Sequence, residues 1–78
     1  MKYLKTAQYV PGKGEAWMYY ELDDQMTVQR YCTHIPMTGE SEHVANPIIK
    51  QLFRPETMQP STEEEFLEHW RLAPGAMG

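Results

Sequence analysis

An α+β fold is predicted for this chain: an antiparallel meander of three or four strands with one C-terminal α-helix packed across it. Three observations predict it. Two runs of alternating side chains flank a short Asp-rich turn. Glycine and proline cut the chain into pieces of strand length. A capped segment with helical apolar spacing stands near the end. With 78 residues, the chain is expected to form a single domain over residues 1–78.

The first element is predicted as a strand over residues 2–10. Tyr3, Ala7 and Tyr9 share one face and Leu4 and Val10 the other. Pro11-Gly12-Lys13-Gly14 supplies the reversal. In the second element Ala16, Met18, Tyr20 and Leu22 alternate with Trp17, Tyr19 and Glu21. Asp23-Asp24-Gln25 makes a polar turn. The third element runs from Met26 to Ile35 and stops at Pro36, which cannot donate to a strand ladder.

Residues 37–60 carry weaker signals. Thr38 to Glu42 is read as a loop. Pro47 followed by Ile48, Ile49, Leu52 and Phe53 suits a short helix near 47–53 or a fourth edge strand, and periodicity does not choose over so few residues. The last element is the clearest. Ser61 with Glu64, or Thr62 with Glu65, completes a capping box. Glu63, Glu64 and Glu65 favour the positive end of the helix dipole. Phe66, Leu67 and Trp70 form the apolar stripe, and Pro74-Gly75 stops the helix. A helix this short needs packing to be stable, and the Met18/Tyr20 face of the hairpin is the expected partner.

Composition excludes several functions. Eleven acids against seven bases give a net charge of −4, which disfavours non-specific binding to nucleic-acid phosphates or an anionic membrane. The longest wholly apolar run, Ala16 to Tyr20, is far short of the roughly 20 residues a membrane helix needs. One cysteine excludes an internal disulfide. Lys2 and Lys5 precede no apolar run, so no secretory signal is expected. With a free Cys32, these features lead to the expectation of a cytoplasmic protein.

The chemistry-bearing residues form no recognisable active site. Cys32, His34, His43 and His69 are candidate zinc ligands, but dedicated sites use tighter ligand pairs, so no metal is expected. A Cys32/His34 nucleophile pair lacks an orienting group, so no enzyme is expected. Glu21, Asp23 and Asp24 are read as turn residues rather than acid/base groups. Gly12-Lys13-Gly14 lacks the spacing of a phosphate-binding loop, so no cofactor is expected.

The aromatic surplus points instead to binding. The chain has five Tyr, two Trp and two Phe. If the helix covers the Met18/Tyr20 face, Trp17, Tyr19 and Tyr31 are left on the other beside Glu21, as in protein interfaces. Glu64, Glu65 and Glu68 on the helix form a second candidate contact. The alternative is that residues 37–58 fold over that face and bury it.

The opening Met1-Lys2-Tyr3-Leu4-Lys5, the Tyr20-Glu21-Leu22-Asp23-Asp24 hairpin with Arg30, and the closing Glu63-Glu64-Glu65-Phe66 with Trp70 resemble an uncharacterised family of short bacterial proteins. The likeness covers about half the chain, at its two ends. It departs at Ile35-Pro36-Met37-Thr38-Gly39, where the family has an aspartate-glycine turn. The resemblance implies the α+β fold and a bacterial or phage origin, and it supplies no catalytic residues.

The expected function is therefore a small non-enzymatic protein-binding module. It would inhibit or regulate a larger bacterial protein, in the manner of toxin-immunity, anti-restriction or anti-CRISPR proteins. A homodimeric structural protein and a small-ligand or nucleotide binder are the alternatives. The expected partner is another protein or a second copy of the chain, with neither nucleic acid nor a membrane.

Overall fold

Alternation and turn chemistry fold the first half of the chain into three long antiparallel strands. In the computed structural model, which describes residues 1–45, 47, 48, 50–52 and 54–72, these are β1 (Lys2–Val10), β2 (Gly14–Leu22) and β3 (Val28–Ile35). They are followed by β4 (Glu40–Ala45), a single 3-10 turn at Pro55–Thr57, the two-residue β5 (Gln59–Pro60) and α1 (Glu63–Leu72). The sheet order is β4-β3-β2-β1-β5. All pairings are antiparallel, and α1 lies across one face. The α+β architecture agrees with the prediction, with β4 and β5 extending the sheet to five strands.

The turns are built by residues that accept unusual backbone angles. Gly12 and Gly14 have φ of 82° and 87°, and the Lys13 N–H donates to the Val10 carbonyl at 3.0 Å. At the β2–β3 turn the Asp23 carboxylate accepts from the backbone N–H groups of Gln25 at 2.8 Å and Thr27 at 2.9 Å. Asp23 therefore orders the loop, as aspartate does in such turns.

Three sequence expectations are corrected. The loop expected over 38–42 is partly strand, because Glu40 to Glu42 belong to β4. Near 47–53, where the sequence leaves a short helix or a fourth edge strand open, neither forms among the described residues, with positions 49 and 53 lying outside them. Instead Gln51 bridges to Thr27, and the Lys50 carbonyl accepts from the Val28 N–H at 2.7 Å. The expected stop at Pro74-Gly75 also lies outside the described residues.

The third correction concerns the two faces of the sheet. The helix does not pack on the Met18/Tyr20 face. It packs on the face of Tyr19 and Cys32, where Phe66 joins both in a buried cluster edged by Tyr3, Trp17, Leu67 and Trp70. Phe66 is 0% exposed. Alternation places Glu21 on this face, and that charge made the face read as solvent-facing. The structure neutralises it. Arg30 donates to Glu21 from Nε at 2.8 Å and from Nη2 at 3.1 Å. The guanidinium lies over the rings of Phe66 and Trp70, 5.2 and 4.7 Å from their centroids. A planar cation stacked on aromatics and paired bidentately satisfies its charge beneath the helix.

A bulge explains why Tyr31 is not with Trp17 and Tyr19. Glu21 pairs with Arg30, but the next residue, Leu22, pairs with Val28, so the register shifts between them. One extra residue flips side-chain parity. Arg30 and Cys32 therefore stand on the helix face, while Val28 and Tyr31 stand on the opposite one with Tyr20 and Leu22.

Candidate functional site

The described residues cover the sheet face away from the helix only in part. Leu22 and Val28 are fully buried there, and Pro47 is buried, while Leu52 and Met58 are half-buried. Between the covering residues and the sheet lies a groove of ≈ 450 Å³, lined by Thr6, Gln8, Met18, Tyr20, Val28, Tyr31, Gln51, Leu52 and Met58. None of these nine residues is charged.

Strand alternation sets this lining. Thr6 on β1 pairs with Met18 on β2, so both point to one face. Met18 pairs with Thr33, and Tyr20 with Tyr31. The Tyr20 and Tyr31 rings lie 5.5 Å apart at 38°. The Tyr20 hydroxyl donates to the Met18 sulfur at 3.4 Å, and burial raises the pKa of the phenol. It stays neutral at physiological pH. Among the described residues, the side-chain polar groups of Thr6, Gln8, Gln51 and Tyr31 form no hydrogen bond. An apolar concavity with a few unengaged polar groups is the usual make-up of a binding site.

The residues expected at the docking surface are distributed otherwise. Tyr19 and Glu21 are core residues, 6% and 7% exposed, and cannot meet a partner. The expected open face of Trp17, Tyr19 and Glu21 does not exist, because α1 covers it. Trp17 is half-buried, stacked on Tyr19 with centroids 6.5 Å apart, and its indole N–H donates to Glu15 at 2.8 Å. Tyr31 is the one aromatic of that set in the groove. On the helix, Glu65 is engaged: its carboxylate accepts from Ser61 Oγ at 2.5 Å and from Lys5 Nζ at 3.0 Å. The Ser61 hydrogen bond, with the Lys5 ammonium, lowers its pKa against the opposing effect of burial. The helix cap is Thr62, whose Oγ1 accepts from the Glu65 N–H at 3.1 Å. Glu64 and Glu68 remain exposed.

Met18, Leu52, Met58 and Gln51 are absent from the sequence-derived site. Met18 carried a signal in its alternation with Trp17 and Tyr19, but it was assigned to the helix side. Leu52 gave a signal only for a short helix or edge strand near 47–53, and Met58 gave no periodic signal.

The other chemistry-bearing groups are structural in their contacts. Cys32 is 1% exposed, and burial pushes its thiol up to about 12, with Arg30 opposing. The reactive thiolate is then a negligible fraction at neutral pH. We expect no modification of Cys32 by iodoacetamide at pH 7.5 under native conditions and rapid modification in denaturant, read by intact mass. Tyr3 and Tyr19 are likewise raised to about 12, chiefly by burial. Among the described residues no group of three or more His, Cys, Asp or Glu side chains is placed to share a metal ion. None of the described helices is long and apolar enough to cross a membrane.

Comparison with known proteins returned no match among protein-family models, curated proteins or solved structures.

Proposed function

We propose that the chain is a small non-enzymatic protein-binding module, which regulates or inhibits a larger bacterial protein by docking through the groove face. The observation that carries this reading is the groove between Tyr20/Tyr31 and Leu52/Met58, whose described lining is uncharged and edged by polar side chains without hydrogen-bond partners among the described residues. The occupant it suits is an apolar anchor side chain from a partner, flanked by peptide groups. Met18 and Met58 are flexible, polarisable contacts for such an anchor. Thr6, Gln8 and Gln51 can meet backbone N–H and C=O groups of the same segment. Two tyrosines supply the rigid amphipathic area common at interface hot spots. The bacterial origin, and the immunity, anti-restriction or anti-CRISPR type of role, rest on the family resemblance and the small acidic character of the chain.

Met18→Glu places a carboxylate in the uncharged groove, while Glu64→Lys reverses a charge on the exposed helix surface. We expect Met18→Glu to weaken partner capture from a bacterial host at least tenfold, on the scale of about 1.4 kcal/mol per decade, with the circular dichroism spectrum retained. Glu64→Lys should leave capture within a factor of two. Capture that survives Met18→Glu and is lost with Glu64→Lys would move the interface to the helix.

The groove volume also favours a second reading. At ≈ 450 Å³ it falls within the range of small-molecule sites, about 300–1,000 Å³. An uncharged, flat ligand with one or two hydrogen-bonding groups fits the lining. Charged nucleotides do not, since no cation lines it among the described residues. Protein-observed NMR with neutral aromatic fragments separates this reading from protein docking, because a free fragment would displace Tyr20 and Tyr31 signals without any partner present.

A further inference from the structure

We propose that His34 and His69 together form a binding site for a borderline divalent transition metal, of the zinc, nickel or copper class, with water completing the coordination. His34 stands on β3 and His69 on α1, and the two rings meet at the rim of the helix–sheet interface. Their centroids are 5.8 Å apart, inclined at 56°. An imidazole–imidazole hydrogen bond requires centroids within about 5.2 Å, given N···N near 2.9 Å. Two imidazoles sharing one metal at 2.0–2.1 Å have centroids roughly 5–6 Å apart. The observed spacing is too long for the first arrangement and right for the second.

The outer contacts also match a metal site. His34 Nδ1 is 2.8 Å from Ser41 Oγ. His69 Nδ1 is 2.9 Å from the Glu65 carbonyl oxygen. A carbonyl only accepts, so Nδ1 of His69 carries the proton and Nε2 holds the lone pair. Hydrogen bonding at one ring nitrogen fixes the tautomer and orientation that metal-ligating histidines need at the other. Neither Nε2 has a hydrogen-bond partner among the described residues, and neither is a buried atom left without one. The His69 ring is also held by stacking on Tyr19 at 4.1 Å and 18°. Two rings from two elements, each fixed in orientation, form a partly pre-organised pair. Cys32 is not a third ligand, because its thiol is protonated and buried. His43 is not one either, since its ring packs edge-on to Trp70 at 4.4 Å. With two protein ligands the site is open, and imidazole selects zinc, nickel and copper over calcium and magnesium.

The test is a zinc chloride titration of isotope-labelled full chain at neutral pH, followed through the histidine ring signals. The His34 and His69 signals should move together and saturate at one equivalent, with those of His43 unmoved. Magnesium chloride should move none. His34→Gln and His69→Gln should each weaken zinc binding at least about tenfold, and Ser41→Ala by a smaller factor through loss of ring orientation. Signals that stay still at excess zinc, or that move with separate midpoints, would overturn the proposal. So would a single variant that binds zinc as the wild type does. If either variant fails to fold, the wild-type titration alone still decides between joint and independent binding.

Discussion

Phe66→Ala should lower the thermal midpoint by more than about 12 °C, at an expected 4–8 °C per kcal/mol for a domain of this size. Phe66 is the centre of the helix-side core, fully buried between Tyr19 and Cys32. Its ring meets Tyr3 at 5.6 Å and Trp70 at 5.8 Å. Truncating such a phenylalanine costs about 3–5 kcal/mol through lost transfer energy and an unfilled cavity. A 78-residue domain has roughly 4–12 kcal/mol in total. The helix is too short to persist without packing, so removing its central anchor should release α1 from the sheet. Circular dichroism melting is the check. A shift smaller than about 4 °C, equivalent to about 1 kcal/mol, would mean that the helix is held by something other than Phe66.

Glu21→Leu should cost about 2–3 kcal/mol, read by urea denaturation. The full cost of breaking a buried pair is about 3–5 kcal/mol, and the Arg30 side chain is 30% exposed, so solvent screens part of it. The loss has two sources. Arg30 would keep its charge beneath Phe66 and Trp70 without a counter-ion. The Tyr3 hydroxyl, which donates to Glu21 at 2.9 Å, would lose its main acceptor, leaving only Glu63 at 3.2 Å. The double variant Glu21→Leu with Arg30→Met should recover most of the stability, because removing both partners leaves no uncompensated charge. If the double variant is as unstable as the single one, the pair acts through packing rather than charge.

These two effects bear on how legible the fold was in the sequence. Period-two alternation and the Gly12/Gly14 turn sufficed to locate β1 and β2 to within two residues of their observed limits. The capping-box registers offered by Ser61/Glu64 and Thr62/Glu65, with the Phe66/Leu67/Trp70 stripe, located α1. What alternation did not reveal was which face the helix would choose. Glu21 marks a solvent-facing side unless Arg30 is known to lie across from it, and that depends on cross-strand register. The register depends in turn on a bulge after a loop in which Met26 takes φ of 65°. Methionine gives no local signal for that conformation. Strand β4 was illegible for another reason. Glu40, Ser41, Glu42 and His43 are polar on both faces, and the strand is held by backbone pairing to β3 and by contacts such as His43 with Trp70.

The candidate site inherits this ambiguity. Reading the faces the wrong way round put Tyr19 and Glu21 on the docking surface and Met18 and Tyr20 in the core. Only Tyr31 survived the exchange as a groove residue, since the bulge moved it to the side that became open. Leu52 lies outside the helices and named strands and Met58 stands between the 3-10 turn and β5, where local patterning carries little information about position.

The helix lies over Tyr19 and Cys32 and leaves the Tyr20/Tyr31 side to the groove. The most direct check is a nuclear Overhauser spectrum with the aromatic rings assigned. The account predicts cross-peaks from the Phe66 ring to Tyr19 and to the Cys32 β-protons, and none to Met18, Tyr20 or Tyr31. Cross-peaks from Phe66 to Met18 or Tyr20, with none to Tyr19, would place the helix on the other face and contradict the assignment of the groove.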